Sequence, residues 1–135
     1  MAASTSISGR PLTWLQLISR NRGTLSYSPS FGYELCARRV ENGAPAGLDL
    51  SSWRAAGIGG DMVRPAPLHA FAERFADSGF RADAFVPSYG MAEAALALSF
   101  SPAARLLRVD TLDIDALERH DRADLAVANS DRSRS

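Results

Sequence analysis

One cysteine, Cys36, stands in 135 residues. It leaves no internal disulfide framework and no cysteine cluster for zinc, and with no activating partner close in sequence it reads as a buried structural thiol. Histidine is nearly as scarce. His69 lies beside an aromatic helical stripe and His120 near an expected helix end, a spacing that makes no metal site. No excess of one charge exists either: fifteen basic side chains balance fifteen acidic ones. Neither nucleic acid nor an anionic membrane is therefore strongly attracted. Arg38-Arg39 and the pair Arg105 and Arg108 are basic groups too sparse to form a stripe. No run approaches the roughly 18 apolar residues of a membrane span, and the start MAASTSISGRPLTW has no long apolar targeting segment. A cytoplasmic protein is expected. The G-x-x-x-x-G-K-[ST] phosphate loop, the H-E-x-x-H metal motif and the G-x-S-x-G nucleophile elbow are all missing, which disfavours a complete enzyme of those classes.

What is present suffices for one compact core, with 46% hydrophobic residues. Residues 1–9 read as a flexible leader. Arg10-Pro11 is suited to a helix start, and Trp14, Leu17 and Ile18 recur at helical spacing before a stop at Asn21 to Gly23. An extended stretch from Thr24 to Tyr27 precedes a break at Ser28-Pro29-Ser30, and a helix from Phe31 to Val40 follows, with Phe31, Leu35 and Val40 as apolar contacts. Residues 41–47 are a glycine and proline loop, and Ala55 to Ile58 forms a strand ending at Gly59-Gly60. Past Pro65, residues Leu68, Phe71, Ala72 and Phe75 fall at offsets of zero, three, four and seven and make one apolar helix face. Ala84-Phe85-Val86 is the next strand, Pro87 to Gly90 a turn, and Met91 to Leu98 a helix leading into extended chain. A last helix begins around Thr111 to Asp115, with Asp115 and Glu118 at capping-box spacing and Leu112, Leu117 and His120 within it. The tail, residues 121–135, is polar and reads as frayed or altered. Alternating strands and helices predict an α/β fold with a partly parallel sheet covered by helices, whose loops present ligands.

Two stretches carry chemical potential. Gly57-Ile58-Gly59-Gly60-Asp61 permits close backbone approach, and Asp61 offers an acceptor for a base or sugar, although a structural turn and cap explain it equally. Tyr89-Gly90-Met91-Ala92-Glu93 sets a ring, a flexible glycine and a carboxylate close together. The ring could cover a nucleobase and the carboxylate could meet magnesium, or both could belong to ordinary turn and helix packing.

Four separated stretches, in order, resemble the fatty-acyl-AMP ligases within the AMP-dependent synthetase and acyl-CoA synthetase group. They are RPLTWLQLISRNRGT from Arg10, SPSFGYELCARR from Ser28, LDLSSWRAAGIGGDMV from Leu48 and FVPSYGMAEAALALSF from Phe85. The resemblance implies a fragment of the large N-terminal subdomain of an adenylate-forming enzyme, over residues 10–120. It implies activation of a fatty acid by ATP with Mg2+ to acyl-AMP and pyrophosphate, commonly for transfer to an acyl carrier protein. By the same resemblance Tyr89 packs on adenine, Glu93 serves the metal or phosphate site, and Gly59, Gly60, Asp61, Gly90, Met91 and Ala92 belong to the nucleotide side. Ser30, Phe31, Gly32 and Tyr33 border the acyl or adenylate cleft. The usual N-G-A-E-P loop here reads Ile58-Gly59-Gly60-Asp61-Met62, losing an amide, some carboxylate reach and a proline; Ser30 replaces a frequent asparagine.

The resemblance also shows what these residues lack. There is no Ser/Thr/Gly-rich phosphate loop with its lysine, no H-D-x-G-L-like segment, no T-G-D ribose region and no subdomain with a catalytic lysine. The expectation is a chain inactive by itself, which needs a complementing domain or associates with itself. An acyl-CoA synthetase fragment and a noncatalytic nucleotide-binding or interaction remnant are the alternatives.

Overall fold

Proline at the first helical position has a preset φ and no N–H to leave unpaired, so the chain turns into helix at Pro11. The structure, a computed structural model, describes residues 10–40, 42–91, 97–126 and 133–134. Helix α1 (Pro11–Asn21) buries Pro11, Trp14, Leu15 and Ile18. The expected stripe included Leu17, which instead faces solvent. The buried offsets of zero, three, four and seven explain this: Leu15 takes the inward position and Leu17 lies beyond the edge of that face.

Strand β1 (Leu25–Ser28) leads through Pro29 alone into helix α2 (Ser30–Arg39). The expected break at Ser28-Pro29-Ser30 is thus narrower, because extended Pro29 at ψ 162° suffices to change the chain's course. On α2 the inward residues are Tyr33, Cys36 and Ala37, while Phe31 is exposed and Leu35 only half-buried. Strand β2 (Ala55–Ile58), helix α3 (Pro65–Phe75) and strand β3 (Phe85–Tyr89) follow. The expected turn at Pro87 to Gly90 is mostly strand. Proline's φ is compatible with extended backbone, and its carbonyl still accepts from the Ser101 N–H at 2.8 Å.

Strands β1, β2 and β3 are parallel neighbours in chain order, and β4 (Ser99–Phe100) pairs antiparallel with β3. The α/β expectation holds, with a partly parallel sheet under helices. Side chains of α1, α2 and α3 join Ala56, Ile58 and Phe85 in one core cluster, so the helices share one sheet face. On the other face the register sets Leu25 and Tyr27 beside Ala55 and Gly57, and both large side chains are exposed.

Beyond β4, strand β5 (Leu112–Asp113) runs into helix α4 (Ile114–His120) and pairs with β6 (Ser133–Arg134). Asp113, not the expected Asp115, caps α4: its side chain accepts from the N–H groups of Asp115 at 2.9 Å and Ala116 at 3.1 Å. Leu112 falls in β5, and no residue of α4 is buried. The expected helix from Met91 largely covers residues outside the described set.

The core is largely aromatic. Tyr33 stacks with Trp53 and meets Trp14, Phe71 and Phe85 edge-on, while its hydroxyl donates to the Gly57 carbonyl at 2.9 Å. That bond joins α2 to the middle of β2 and satisfies a polar group that burial would otherwise penalise. Burial pushes the Cys36 thiol up from 9.0 to about 12, and raises the Tyr33 phenol as well. Both groups ionise more readily unfolded, so their stability contribution is whole below about pH 9 and is lost as pH rises towards and past 12. Urea unfolding is expected to hold its midpoint at neutral pH and fall steadily between pH 9 and 12, with Cys36 inert to thiol reagents until the chain opens.

Candidate functional site

In an open parallel sheet, ligands bind outside the carboxyl ends of the strands, where the loops diverge. Here β2 ends at Ile58 and β3 at Tyr89, and the chain leaves both strands on the same side. An open groove of about 730 Å³ lies there, lined by Gly60, Asp61, Met62, Tyr89, Gly90 and Phe100 among others. The fold therefore brings together two stretches that are separated in sequence by an entire helix.

The loop after β2 is pinned at both ends by serine hydroxyls. Ser88 Oγ donates to the Ile58 carbonyl at 2.9 Å, and an added Cβ on Gly59 would sit 2.6 Å from that same oxygen. Glycine is what allows the approach. At the far end, Ser30 Oγ donates to the Met62 carbonyl and accepts from the Arg64 N–H, both at 3.1 Å. Between these anchors Gly60 takes φ +79°, a conformation costly for residues with a side chain. Asp61 Oδ1 accepts from the Met62 N–H at 2.7 Å, and no described residue bonds Oδ2. Ile58 is fully buried in the core cluster, so its side chain packs beneath the helices and does not face the groove.

Tyr89 is the last residue of β3. Its backbone is tied to the returning strand, the carbonyl accepting from the Leu98 N–H at 2.9 Å, while 63% of the residue remains exposed. A fixed backbone under a free ring suits a stacking platform. Gly90 lines the same groove and Met91 is exposed beside it. Ala92 and Glu93 lie outside the described residues.

The four α2 candidates separate. Tyr33 is inside the aromatic core, not in the groove, and Gly32 packs against Ser28. Ser30 is fully buried and acts on the loop through its two hydrogen bonds. Phe31 remains on the surface, 48% exposed, and follows Ser30, whose hydroxyl bonds the carbonyl of the 77% exposed Met62. Glu34 joins the same corner, bonding Arg38 at 2.5 Å and Arg64 at 2.6 Å. The Arg64 guanidinium holds its carboxyl below the usual range, with Arg38 adding to the effect. Residues that sequence reasoning missed are Ser88 and Phe100; Met62 was read as the end of the loop and also lines the groove. Only Ser88 had a local signal, as an isolated polar residue after an apolar strand; Phe100 arrives through the pairing Ser88 to Phe100.

A magnesium ion needs several hard oxygen ligands. Among the described residues no group of three or more His, Cys, Asp or Glu side chains could hold a metal, and Asp61 is the one described carboxylate in the groove. The described residues do not assemble a magnesium site. A second groove of about 500 Å³ adjoins the first across Val63, Pro87 and Ser101, with Leu68, Phe85 and Leu106 in its apolar wall. None of the candidate residues lines it.

The same fold recurs in solved structures. One, from a study of fatty acyl-adenylate ligases of E. coli and L. pneumophila, superposes over 97% of this chain with a TM-score of 0.90 and 46% identity. The chain belongs, as a partial domain, to the fatty-acyl-AMP ligase family. A second, the fatty acyl-adenylate ligase of L. pneumophila in complex with acyl adenylate and pyrophosphate, matches 95% of the chain at 34% identity and TM-score 0.86. A protein of Caulobacter vibrioides bearing an acyl-CoA synthetase name is 56% identical over 125 residues, 93% of this chain and 22% of that protein. The medium-chain-fatty-acid acyl-carrier-protein ligase of Moorena producens is 47% identical over 111 residues, 82% of this chain and 19% of its own length. The chain thus spans about a fifth of the curated relatives it matches. No protein-family model matches it. Among the described residues no helix is long and apolar enough to cross a membrane.

Proposed function

We propose that this segment supplies the adenine side of a fatty-acyl-AMP cleft, and that acyl-AMP formation requires elements absent from these 135 residues. The observation that carries the reading is the convergence of Gly60, Asp61, Tyr89 and Gly90 on one groove at the carboxyl ends of β2 and β3. Tyr89 offers its ring to adenine. Gly60 presents bare backbone, and Asp61 accepts a hydrogen bond from the base or ribose through Oδ2. Phe31 and Met62, both exposed apolar side chains, are assigned here to the start of the acyl chain. In the complete reaction a fatty carboxylate oxygen attacks the α-phosphorus of ATP and pyrophosphate leaves. That step develops negative charge on the phosphates, and preorganised cations normally stabilise it. The described groove offers no lysine and no metal cluster for this. Binding without turnover follows, with phosphate-side groups contributed by a complementing domain.

Residues 10–120 form the part of the adenylation domain concerned, with Ala92 on the nucleotide side and Glu93 as the carboxylate for magnesium once the phosphate side is complete. A carrier-protein thiol is the acceptor that fits the ligase relatives of Moorena producens and Teredinibacter turnerae; CoA is the acceptor implied by the Caulobacter vibrioides name. A cytoplasmic setting suits either. Isothermal titration of the folded chain with a nonhydrolysable acyl-adenylate analogue tests the reading. Saturable binding together with no acyl-AMP from ATP and fatty acid is expected. Turnover by the chain alone, or no binding by a folded chain, overturns it.

A further inference from the structure

Resting on the adenylate reading above, we infer that Ser30 is a positioning residue that sets the pose of the nucleotide-side loop, Gly59 to Met62, from behind. Its hydroxyl is fully buried yet makes two hydrogen bonds across the chain, to the Met62 carbonyl and from the Arg64 N–H. These partners lie 32 and 34 residues away. One oxygen therefore closes the end of the loop against the first turn of α2, as Ser88 does at the loop's beginning.

Gly59 and Gly60 carry no side chains, Met62 is exposed, and among the described residues the Asp61 side chain bonds only its own neighbour; Val63, just beyond, packs partly buried against the core. Position 62 is methionine and not proline, so no ring restricts its backbone. A hydrogen-bonded clamp does that work instead. The Glu34 to Arg64 ion pair sits outside it, partly exposed, and is the weaker restraint because water and salt screen it. Ser30 sits at the back of the loop, so it acts through Gly60 and Asp61 and not by touching the ligand.

The geometry also separates two substitutions. Ser30→Ala removes donor and acceptor together, leaving the part-buried Met62 carbonyl and Arg64 N–H without this partner. Ser30→Asn keeps both functions in one side chain, an amide N–H for Met62 and a carbonyl oxygen for Arg64. The two should diverge in ligand affinity if positioning is the role.

The test uses the folded chain and both variants, with two readings on each: amide hydrogen exchange and titration with the nonhydrolysable acyl-adenylate analogue. Ser30→Ala is expected to speed exchange at Gly59 to Arg64 by about 10-fold and weaken the analogue by about 10-fold, while exchange in α1 and α3 stays as in the parent. Ser30→Asn is expected to restore both. Parent chain that binds the analogue and Ser30→Ala that binds it equally well overturn the positioning role alone. Equal loss of protection in α1 and α3 also overturns it, since the role would then be general stability. A parent chain that does not bind overturns the adenylate reading, and the positioning role with it, even where loop exchange responds to Ser30→Ala.

Discussion

Tyr89→Ala is expected to weaken the acyl-adenylate analogue by roughly 10-fold or more while leaving the unfolding midpoint within error. Stacking of a base on an aromatic side chain is worth about 1–3 kcal/mol by alanine substitution, and each 1.4 kcal/mol is tenfold in affinity. The stability side follows from exposure. With 63% of Tyr89 open to solvent and its backbone held by β4, removal of the ring opens no cavity and breaks no backbone bond. Tyr89→Phe should bind close to the parent, since stacking needs the ring and not the hydroxyl. Calorimetric titration of the three proteins, with urea unfolding of each, gives the separation. Equal loss of binding and stability would mean that Tyr89 supports the hairpin and not the ligand.

Phe71→Ala should have the opposite profile, a loss of folding with no specific loss of affinity per folded molecule. Phe71 is fully buried on α3 and meets Tyr33, Trp53, Phe75, Phe80 and Phe85. Truncation of a buried phenylalanine costs about 3–5 kcal/mol, the transfer term plus the cavity left behind. Small domains are stable by only about 5–15 kcal/mol. The expected outcome is a chain largely unfolded at moderate urea, read by tryptophan fluorescence from Trp14 and Trp53. Tyr33→Phe tests the neighbouring polar contact. It keeps the ring in place and removes the bond to the Gly57 carbonyl, for about 1 kcal/mol.

How much of this the sequence disclosed differs by element. The face of α3 was readable in full, because Leu68, Phe71 and Phe75 repeat at one period and point inward as that period requires. On α1 Trp14 and Ile18 point inward as the spacing required, and only Leu17 departs: Leu15 takes the inward position and Leu17 lies beyond the edge of that face. The end of β3 was hidden because Pro87 and Gly90 are turn formers locally, while pairing with β2 and β4 holds the chain extended through Tyr89. Tertiary pairing overrides such local preference.

The site was legible as two motifs and illegible as a groove. Gly59 to Asp61 and Tyr89 to Met91 were singled out separately, and only the parallel register of β2 against β3 brings Gly60 and Tyr89 to one cavity. Ser30 was placed at the border of the cleft by the resemblance of its stretch; the structure turns its hydroxyl towards Met62 and Arg64. Tyr33 was placed at the cleft by the same motif, yet its ring fills the centre of the core. No local pattern distinguishes an aromatic residue that packs from one that lines, since both are apolar and both begin a helix.

The central claim is that the loops after β2 and β3 together form the adenine half of an acyl-adenylate site. Backbone amide shifts of the folded chain, followed by NMR during titration with the nonhydrolysable acyl-adenylate analogue, test it most directly. The account predicts saturable shifts concentrated at Gly59 to Met62 and at Tyr89 to Met91, with Phe31 following as the acyl chain lengthens. Shifts confined to the apolar groove beside Leu68 and Leu106, or none from a folded chain at saturating analogue, would contradict it.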